Sequence, residues 1–96
     1  MRNAFLVSYD ICEPKRLRQV FKTMNSFGDP MQLSVFRCEL SAKEKALLID
    51  RLDELLHHDE DQVLIVDMGP TKGRAKRAIE FLGRRSPPPS TDPLVV

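Results

Sequence analysis

The chain has only two cysteines and two histidines, which limits the chemistry that it can carry. Cys12 and Cys38 match neither a zinc-knuckle spacing nor a dense disulfide framework, and neither lies in a nucleophile motif. His57 and His58 could form a metal cluster with the acidic residues that follow, but adjacent helical residues point to different sides, and histidine is also favoured at a helix C-terminus. We expect reduced thiols and no catalytic triad.

Long apolar runs and phosphate-binding glycine loops are also missing. No apolar stretch approaches the roughly 20 residues that span a bilayer, and the first residues lack the cleavage site of a signal peptide. The segment GPTKGR contains two glycines but lacks the spacing of a P-loop. From these absences we expect a cytoplasmic protein without a membrane partner.

The size of the chain allows one domain. Ninety-six residues, of which 42% are apolar, suffice for a single modest core. A partner subunit would add stability to a core of this size.

The charges nearly cancel, with fifteen basic and fourteen acidic side chains, but they are segregated along the chain. Residues 14–22 and 70–85 are basic, whereas residues 50–61 are strongly acidic. Such segregation can give a neutral molecule a basic face for a polyanion, although charge runs are also common on solvated helix faces. Both interpretations stay open on charge alone.

Three segments have the pattern of strands. NAFLVSY (3–9) is apolar or small on both faces, and QVLIVDM (62–68) is a continuous apolar run, so we predict two central strands. Residues 31–40 alternate until Phe36 and Arg37, where the period breaks. This segment is either one bent or bulged strand or two short strands in a tight ribbon.

Two amphipathic helices separate these strands. The first is predicted to begin near Pro14 and to end at Gly28, with an apolar stripe formed by Leu17, Val20, Phe21 and Met24. The second is predicted to begin at a capping box of Ser41 and Glu44, with a stripe formed by Leu48, Leu52, Leu55 and Leu56.

The pattern is weaker after residue 70. A basic turn or short helix is predicted to lead into an edge strand at 78–82. Residues 86–96 form a proline-rich tail that ends in LVV. The tail is either loose or docked on the sheet edge of a partner subunit.

The order β-α-β-β-α-β predicts an α+β fold, a two-layer sandwich of ferredoxin-like type over residues 1–85, with an additional C-terminal edge strand or tail and a homodimeric assembly. A small parallel α/β sheet is the alternative. In the ferredoxin-like arrangement the first and last main strands are antiparallel. Asp10 and Asp67 would then lie roughly 20 Å apart, too far to form an acid pair.

Asp10 ends the first strand beside a basic helix and is the main candidate for chemistry. Its carboxylate could hold a hydrated Mg²⁺ while Arg16 and Arg18 engage phosphates. One carboxylate is a poor metal site, but a two-fold axis would bring the Asp10 of a second copy to it. The alternative is that Asp10 caps the turn before Pro14.

Several motifs together resemble one known family. FLVSYDI followed by a Pro-Lys-Arg-Leu-Arg helix, then QLSVFRCELS, DQVLIVDMGP and a late AIEFLG, is similar to the CRISPR-associated adaptation endoribonuclease family, the second protein of the Cas numbering. The similarity covers residues 1–83. Its most specific part is the combination of Tyr9 and Asp10 with the run Ser34-Val35-Phe36.

The resemblance implies a ferredoxin-like homodimer in which Asp10 of both subunits binds Mg²⁺ and supports hydrolysis of single-stranded RNA, or of duplex DNA in some members. It assigns Tyr9 and Asp10 to the catalytic motif. It also implies a role in spacer acquisition, in which the dimer joins the CRISPR-associated integrase and holds the spacer duplex. With the charge pattern, it predicts nucleic-acid contacts for Arg16, Arg18, Ser34, Phe36, Arg37, Arg74 and Arg77.

Two classes of function therefore stand side by side. The first is a metal-dependent nuclease, in which metal-held water has to serve because no general base is evident. The second is a catalytically inactive scaffold whose basic faces bind nucleic acid. A ferredoxin-like interaction module without nucleic acid is a third hypothesis.

Overall fold

The strands and helices follow the order expected from the hydrophobic pattern. The structure is a computed structural model that describes residues 1–83. Its elements are β1 (Asn3–Asp10), α1 (Pro14–Phe27), β2 (Asp29–Gln32), β3 (Val35–Leu40), α2 (Ala42–Leu55), β4 (Gln62–Pro70) and a short 3₁₀ helix (Arg74–Arg77). The segment 31–40 therefore contributes to two strands. No helix of the described range combines the length and apolarity that crossing a bilayer requires.

The four strands form one antiparallel sheet in the order β2-β3-β1-β4. β1 pairs with β3 on one side and with β4 on the other, so its central position is confirmed and the parallel alternative is excluded. The central position predicted for β4 is wrong, because β4 forms an edge of this sheet. Its apolar run continues onto an uncovered side, where Leu64 and Val66 are 58% and 41% exposed.

Both helices pack on the same side of the sheet. Side chains alternate along a strand, and in β1 Phe5, Val7 and Tyr9 face the helices. The remaining buried members of this core are Val20, Phe21, Met24, Phe36, Cys38, Leu40, Leu48 and Leu52. We call the other side, which α1 and α2 leave uncovered, the open face. Paired residues share a side, so the open face carries Leu6, Ser8, Asp10, Val35, Arg37, Gln62, Leu64 and Val66.

Both helices begin at side-chain caps. Glu13 accepts the backbone N–H of Arg16 at 2.7 Å, and Pro14 occupies the first turn of α1. Ser41 and Glu44 form the predicted capping box, in which the Glu44 N–H donates to Ser41 Oγ at 3.1 Å. These caps satisfy N–H groups that have no partner within the helix, and they define where the chain turns after β1 and β3.

The segment after β4 corrects one prediction. The basic stretch forms the 3₁₀ helix, in which Ala75 is buried. Residues 78–82, however, form no strand in the described part of the chain. Apolar residues form a strand only where a neighbouring strand accepts their hydrogen bonds, and none of the described strands pairs with them. The predicted docking of the tail, residues 86–96, falls outside the described residues.

Candidate functional site

Asp10 occupies the last position of β1, on the open face. Its side chain is exposed, and it makes no hydrogen bond or ion pair with another residue of the range 1–83. The register of β1 and β4 sets Gln62 directly opposite Asp10, and Ser8 lies two residues earlier on the same face. The carboxylate, beside two polar neighbours, is available to bind a cation or to orient water.

A different residue performs the capping role considered for Asp10. The carboxylate of Glu13 accepts the Arg16 N–H at the start of α1, and this bond lowers the pKa of Glu13. Asp10 takes no part in the cap. The turn-cap interpretation of Asp10 is therefore wrong.

Tyr9 precedes Asp10, but its side chain points to the opposite side of the sheet. The ring is buried and stacks on Phe36, with ring centroids 6.2 Å apart, and the hydroxyl donates to the Leu33 carbonyl at 3.3 Å. Burial raises the pKa of Tyr9 to about 12. The hydroxyl is thus a neutral donor inside the fold with a structural role at the hairpin turn, and the catalytic assignment of Tyr9 stays a prediction.

The second motif of the resemblance supports the end of β1 from the neighbouring hairpin. Ser34 lies in the turn between β2 and β3, and its carbonyl accepts the Tyr9 N–H at 3.1 Å. This bond holds Ser34 at the same end of the sheet as Asp10, and its contact with nucleic acid stays a prediction. Phe36 is completely buried and packs against Phe21, so it cannot stack on a base in this conformation. The predicted direct contact of Phe36 is corrected accordingly.

Arg16 forms an ion pair within the chain. Its Nε donates to Asp61 Oδ2 at 2.8 Å, and its Nη2 donates to Glu60 Oε1 at 3.0 Å. The Asp61 side chain is fully buried, and the hydrogen bond from Arg16 holds the pKa of Asp61 well below its usual range. The guanidinium therefore faces the acidic turn before β4, and any contact of Arg16 with phosphate competes with this pair.

Arg18 and Arg37, the other two basic residues predicted near the sheet, differ in whether their side chains are already paired. Arg37 lies on the open face opposite Leu6 and pairs with Glu39 at 2.6 Å. Arg18, on α1, is exposed and pairs with no residue of the described range. Arg18 is therefore the freer of the two to contact a phosphate.

Arg74 and Arg77 lie far from Asp10. The 3₁₀ helix follows Pro70, which pairs with Asn3 at the other end of β1. Both arginines are exposed, and with Lys72 and Lys76 they line one surface depression. In one copy of the chain, this basic cluster and Asp10 thus lie at opposite ends of the sheet.

Asp67 is separated from Asp10 as expected. It pairs with Phe5, five residues before Asp10 along β1, which corresponds to about 17 Å at about 3.4 Å per residue. Its carboxylate accepts the Gly69 N–H at 2.8 Å and a hydrogen bond from Asn3 Nδ2 at 3.2 Å. Asp67 closes the bulged end of the sheet.

At the end of β1, one chain offers a metal ion the exposed carboxylate of Asp10. Among residues 1–83, no group of three or more His, Cys, Asp or Glu side chains could hold one, which includes His57 and His58. Mg²⁺ typically takes one or two protein carboxylates and completes its shell with water and phosphate oxygens. Asp10 fits such an open site, whereas a closed site built only of protein ligands does not fit.

Two residues around Asp10 had no distinguishing signal in the sequence. Asp61 is the last acid of an acidic run typical of a solvated turn, and its partners Cys12 and Arg16 lie 49 and 45 residues away. Gln62 becomes a neighbour of Asp10 only through the strand register. Both depend on tertiary pairing, which local patterns do not encode.

A family model, curated relatives and solved structures all match this chain to the same family. The family model for CRISPR associated protein Cas2 matches residues 3–75. The chain is 43% identical over 82 residues to the CRISPR-associated endoribonuclease Cas2 1 of Rhodospirillum rubrum, which covers 85% of this chain and 79% of that relative. It is 39% identical over 88 residues to the CRISPR-associated endoribonuclease Cas2 of Geobacter sulfurreducens, and this match covers 92% of this chain and 92% of that relative. The crystal structure of Streptococcus pyogenes Cas2 superposes with a TM-score of 0.72 at 32% identity, covering 83% of this chain and 99% of that one.

Proposed function

The chain belongs to the Cas2 family of CRISPR-associated proteins, and from this premise we propose that it is a cytoplasmic, metal-dependent endonuclease that hydrolyses phosphodiester bonds of single-stranded RNA. The relatives compared above are named endoribonucleases. The observation that carries the proposal is the exposed Asp10 carboxylate, which has no hydrogen-bond or ion-pair partner among residues 1–83 and lies at the end of the central strand β1.

The proposed active form is a homodimer of ferredoxin-like subunits. The element order and the strand order β2-β3-β1-β4 support the ferredoxin-like assignment. The open face supports the dimer, because apolar side chains such as Leu64 and Val66 are left exposed beside β1. A two-fold axis through this face would bring the Asp10 side chains of two copies together.

Mg²⁺ is the proposed cofactor, and Asp10 is the residue that would hold it. When bound, such an ion supplies charge stabilisation for a phosphate oxygen and an acidified water. Two like carboxylates brought together repel each other, so a shared divalent cation would also relieve this repulsion.

The residues of the chain itself have three proposed roles. Asp10 accepts a hydrogen bond from water and orients it, Gln62 and Ser8 offer polar contacts beside it on the open face, and Arg18 approaches a phosphate from α1. The Tyr9 hydroxyl remains buried and holds the hairpin turn.

A second candidate function is a nucleic-acid-binding scaffold of the CRISPR integrase complex. The observation that favours it is the basic cluster of Lys72, Arg74, Lys76 and Arg77, which is exposed and far from Asp10. Such a surface can hold the backbone of a duplex without cleaving it. The integrase is the proposed partner in this role.

One substitution separates the two functions. Asp10→Asn should abolish Mg²⁺-dependent cleavage of a labelled single-stranded RNA. It should change the affinity for a duplex by less than about two-fold, because the substitution removes one charge and leaves the size of the side chain nearly unchanged. Asp59→Asn is the matched control, since Asp59 is exposed and its side chain makes no hydrogen bond or ion pair among residues 1–83. Undiminished cleavage by purified Asp10→Asn protein would contradict the nuclease proposal.

The scaffold proposal is tested by charge reversal in the basic cluster. Arg74→Glu combined with Arg77→Glu should lower the affinity for a duplex of spacer length and flatten the dependence of log K on log salt, because fewer counterions are released. Lys43→Glu combined with Arg51→Glu, at two exposed positions on α2, is the control because it makes the same change in net charge. Unchanged duplex affinity and salt slope in the double variant would rule out this cluster as the binding surface.

A further inference from the structure

Asp61 joins the two chain segments that flank Asp10. Its carboxylate accepts four hydrogen bonds from three residues: from the Cys12 N–H at 3.0 Å, from the His57 N–H at 3.0 Å, and from Arg16 Nε at 2.8 Å and Nη2 at 3.3 Å. We call this group of four residues the Asp61 latch. The Asp61 side chain has no solvent-accessible surface, and its four hydrogen bonds come from residues of the described chain.

The latch holds two segments next to Asp10, the loop that follows β1 and the start of β4. Cys12 lies two residues after Asp10, and its Sγ also donates to the Glu60 carbonyl at 3.0 Å, so the chain leaving β1 is bonded to the acidic turn at two points. Asp61 itself directly precedes Gln62, the residue opposite Asp10 on β4. A single enclosed carboxylate thus holds the loop after Asp10 and the strand beside it in one arrangement.

We propose that Asp61 is the positioning residue of the Asp10 site and that Arg16 acts through Asp61 rather than as a phosphate ligand. The carboxylate of Asp10 lies at the end of a strand, where the chain would otherwise be free to fray. The hydrogen bond from the Cys12 N–H to Asp61 fixes the direction of the backbone immediately after Asp10, and the bonds from Arg16 and His57 hold Asp61 in place. Residues that orient a ligand from the second layer typically change metal affinity about 10- to 100-fold when they are replaced.

The inference rests on the proposed function in one respect, namely that Asp10 binds a metal ion. The test therefore includes amide hydrogen exchange, a measurement that needs no metal. Asp61→Asn keeps an acceptor oxygen but loses the ion pair, and Asp61→Ala removes both. Asp59→Asn, in the same turn, is the matched control. The full chain is used throughout, amide hydrogen exchange reports on residues 10–13, and Mn²⁺ titration reports on the metal.

The expected result is faster exchange confined to residues 10–16 and 57–62, with an increase of about 10-fold or more in the Mn²⁺ dissociation constant for both Asp61 variants. Asp59→Asn should change neither quantity, and exchange in the β1–β3 pairing should stay at the wild-type rate. Arg16→Lys should restore part of the affinity that Arg16→Met loses, because it keeps the charge on Asp61 paired.

Two results overturn the inference or the proposed function separately. The positioning role is overturned if Asp61→Asn and Asp61→Ala both leave two quantities within about two-fold of wild type. These quantities are the rate of amide exchange at residues 10–13 and the Mn²⁺ affinity. If the wild-type protein shows no Mn²⁺ binding that Asp10→Asn removes, the metal part of the proposed function fails, and the exchange result alone decides for or against the latch.

Discussion

Tyr9 and Asp10 are adjacent residues of one motif whose side chains lie on opposite sides of the sheet. The strand alternation turns Asp10 toward the open face and Tyr9 into the core, where its hydroxyl bonds the Leu33 carbonyl. Tyr9→Phe should therefore keep Mg²⁺-dependent cleavage within about two-fold of wild type and cost about 0.5–1.5 kcal/mol in the free energy of unfolding. Urea denaturation and a cleavage assay on the same preparation measure both quantities.

Tyr9→Ala provides the comparison for this prediction. It removes the buried ring as well as the hydroxyl, and should cost about 3–5 kcal/mol of stability. Loss of cleavage in a well-folded Tyr9→Phe protein would instead return Tyr9 to the catalytic motif.

The lowered pKa of Asp61 makes the free energy of unfolding depend on pH. Its pKa is lowered in the folded state by the Arg16 hydrogen bond, so its contribution is present above the unfolded pKa of about 3.9 and is lost as the pH falls through the folded pKa. Asp61→Asn should be less stable than wild type at neutral pH, and the difference should shrink as the pH falls below about 4. Urea denaturation between pH 7 and acidic pH measures it. A difference that does not vary with pH would show that the ion pair contributes nothing to folding.

At the scale of elements, Gly28 is required by a close approach between α1 and β3. A Cβ built on Gly28 would lie 2.5 Å from the Arg37 carbonyl oxygen and 2.5 Å from Cys38 Sγ. Gly28→Ala should therefore cost about 1–3 kcal/mol in the free energy of unfolding, because backbone has to move. Gly73→Ala is the control, since its nearest neighbour, the Pro70 carbonyl oxygen, is 3.6 Å away. Equal melting temperatures for the two variants would contradict the close-packing argument.

The elements that the sequence predicts well are those with local signals. Both helices carry apolar stripes at helical spacing, and the capping box of Ser41 and Glu44 marks the start of α2 within a few residues. The edge position of β4 and the absence of a strand at 78–82 depend instead on which strands pair, and an apolar run has the same pattern in either case. Asp10 was predictable as the end of an apolar strand, whereas the Asp61 latch depends on contacts between segments distant in sequence.

At the scale of the molecule, the open face presents exposed apolar side chains in the same row as Asp10. Leu64 and Val66 lie on this face beside Ser8 and Leu6, their partners in β1, and Asp10 ends the same row. Covering exposed apolar side chains favours association, because apolar surface is removed from water. The proposed dimer would thus bury this row and supply a second carboxylate in the same event.

Val66→Asp tests this coupling of assembly and site. A charge on the open face should convert a dimer to a monomer in sedimentation experiments, because burying an unpaired carboxylate is unfavourable. The Mn²⁺ dissociation constant should rise with it, since each monomer keeps one carboxylate. Ile49→Asp is the matched control, because Ile49 is 42% exposed and Val66 is 41% exposed, but Ile49 lies on α2. A dimeric Val66→Asp protein would exclude the open face as the interface, and a monomeric one with wild-type Mn²⁺ affinity would show that a single Asp10 suffices.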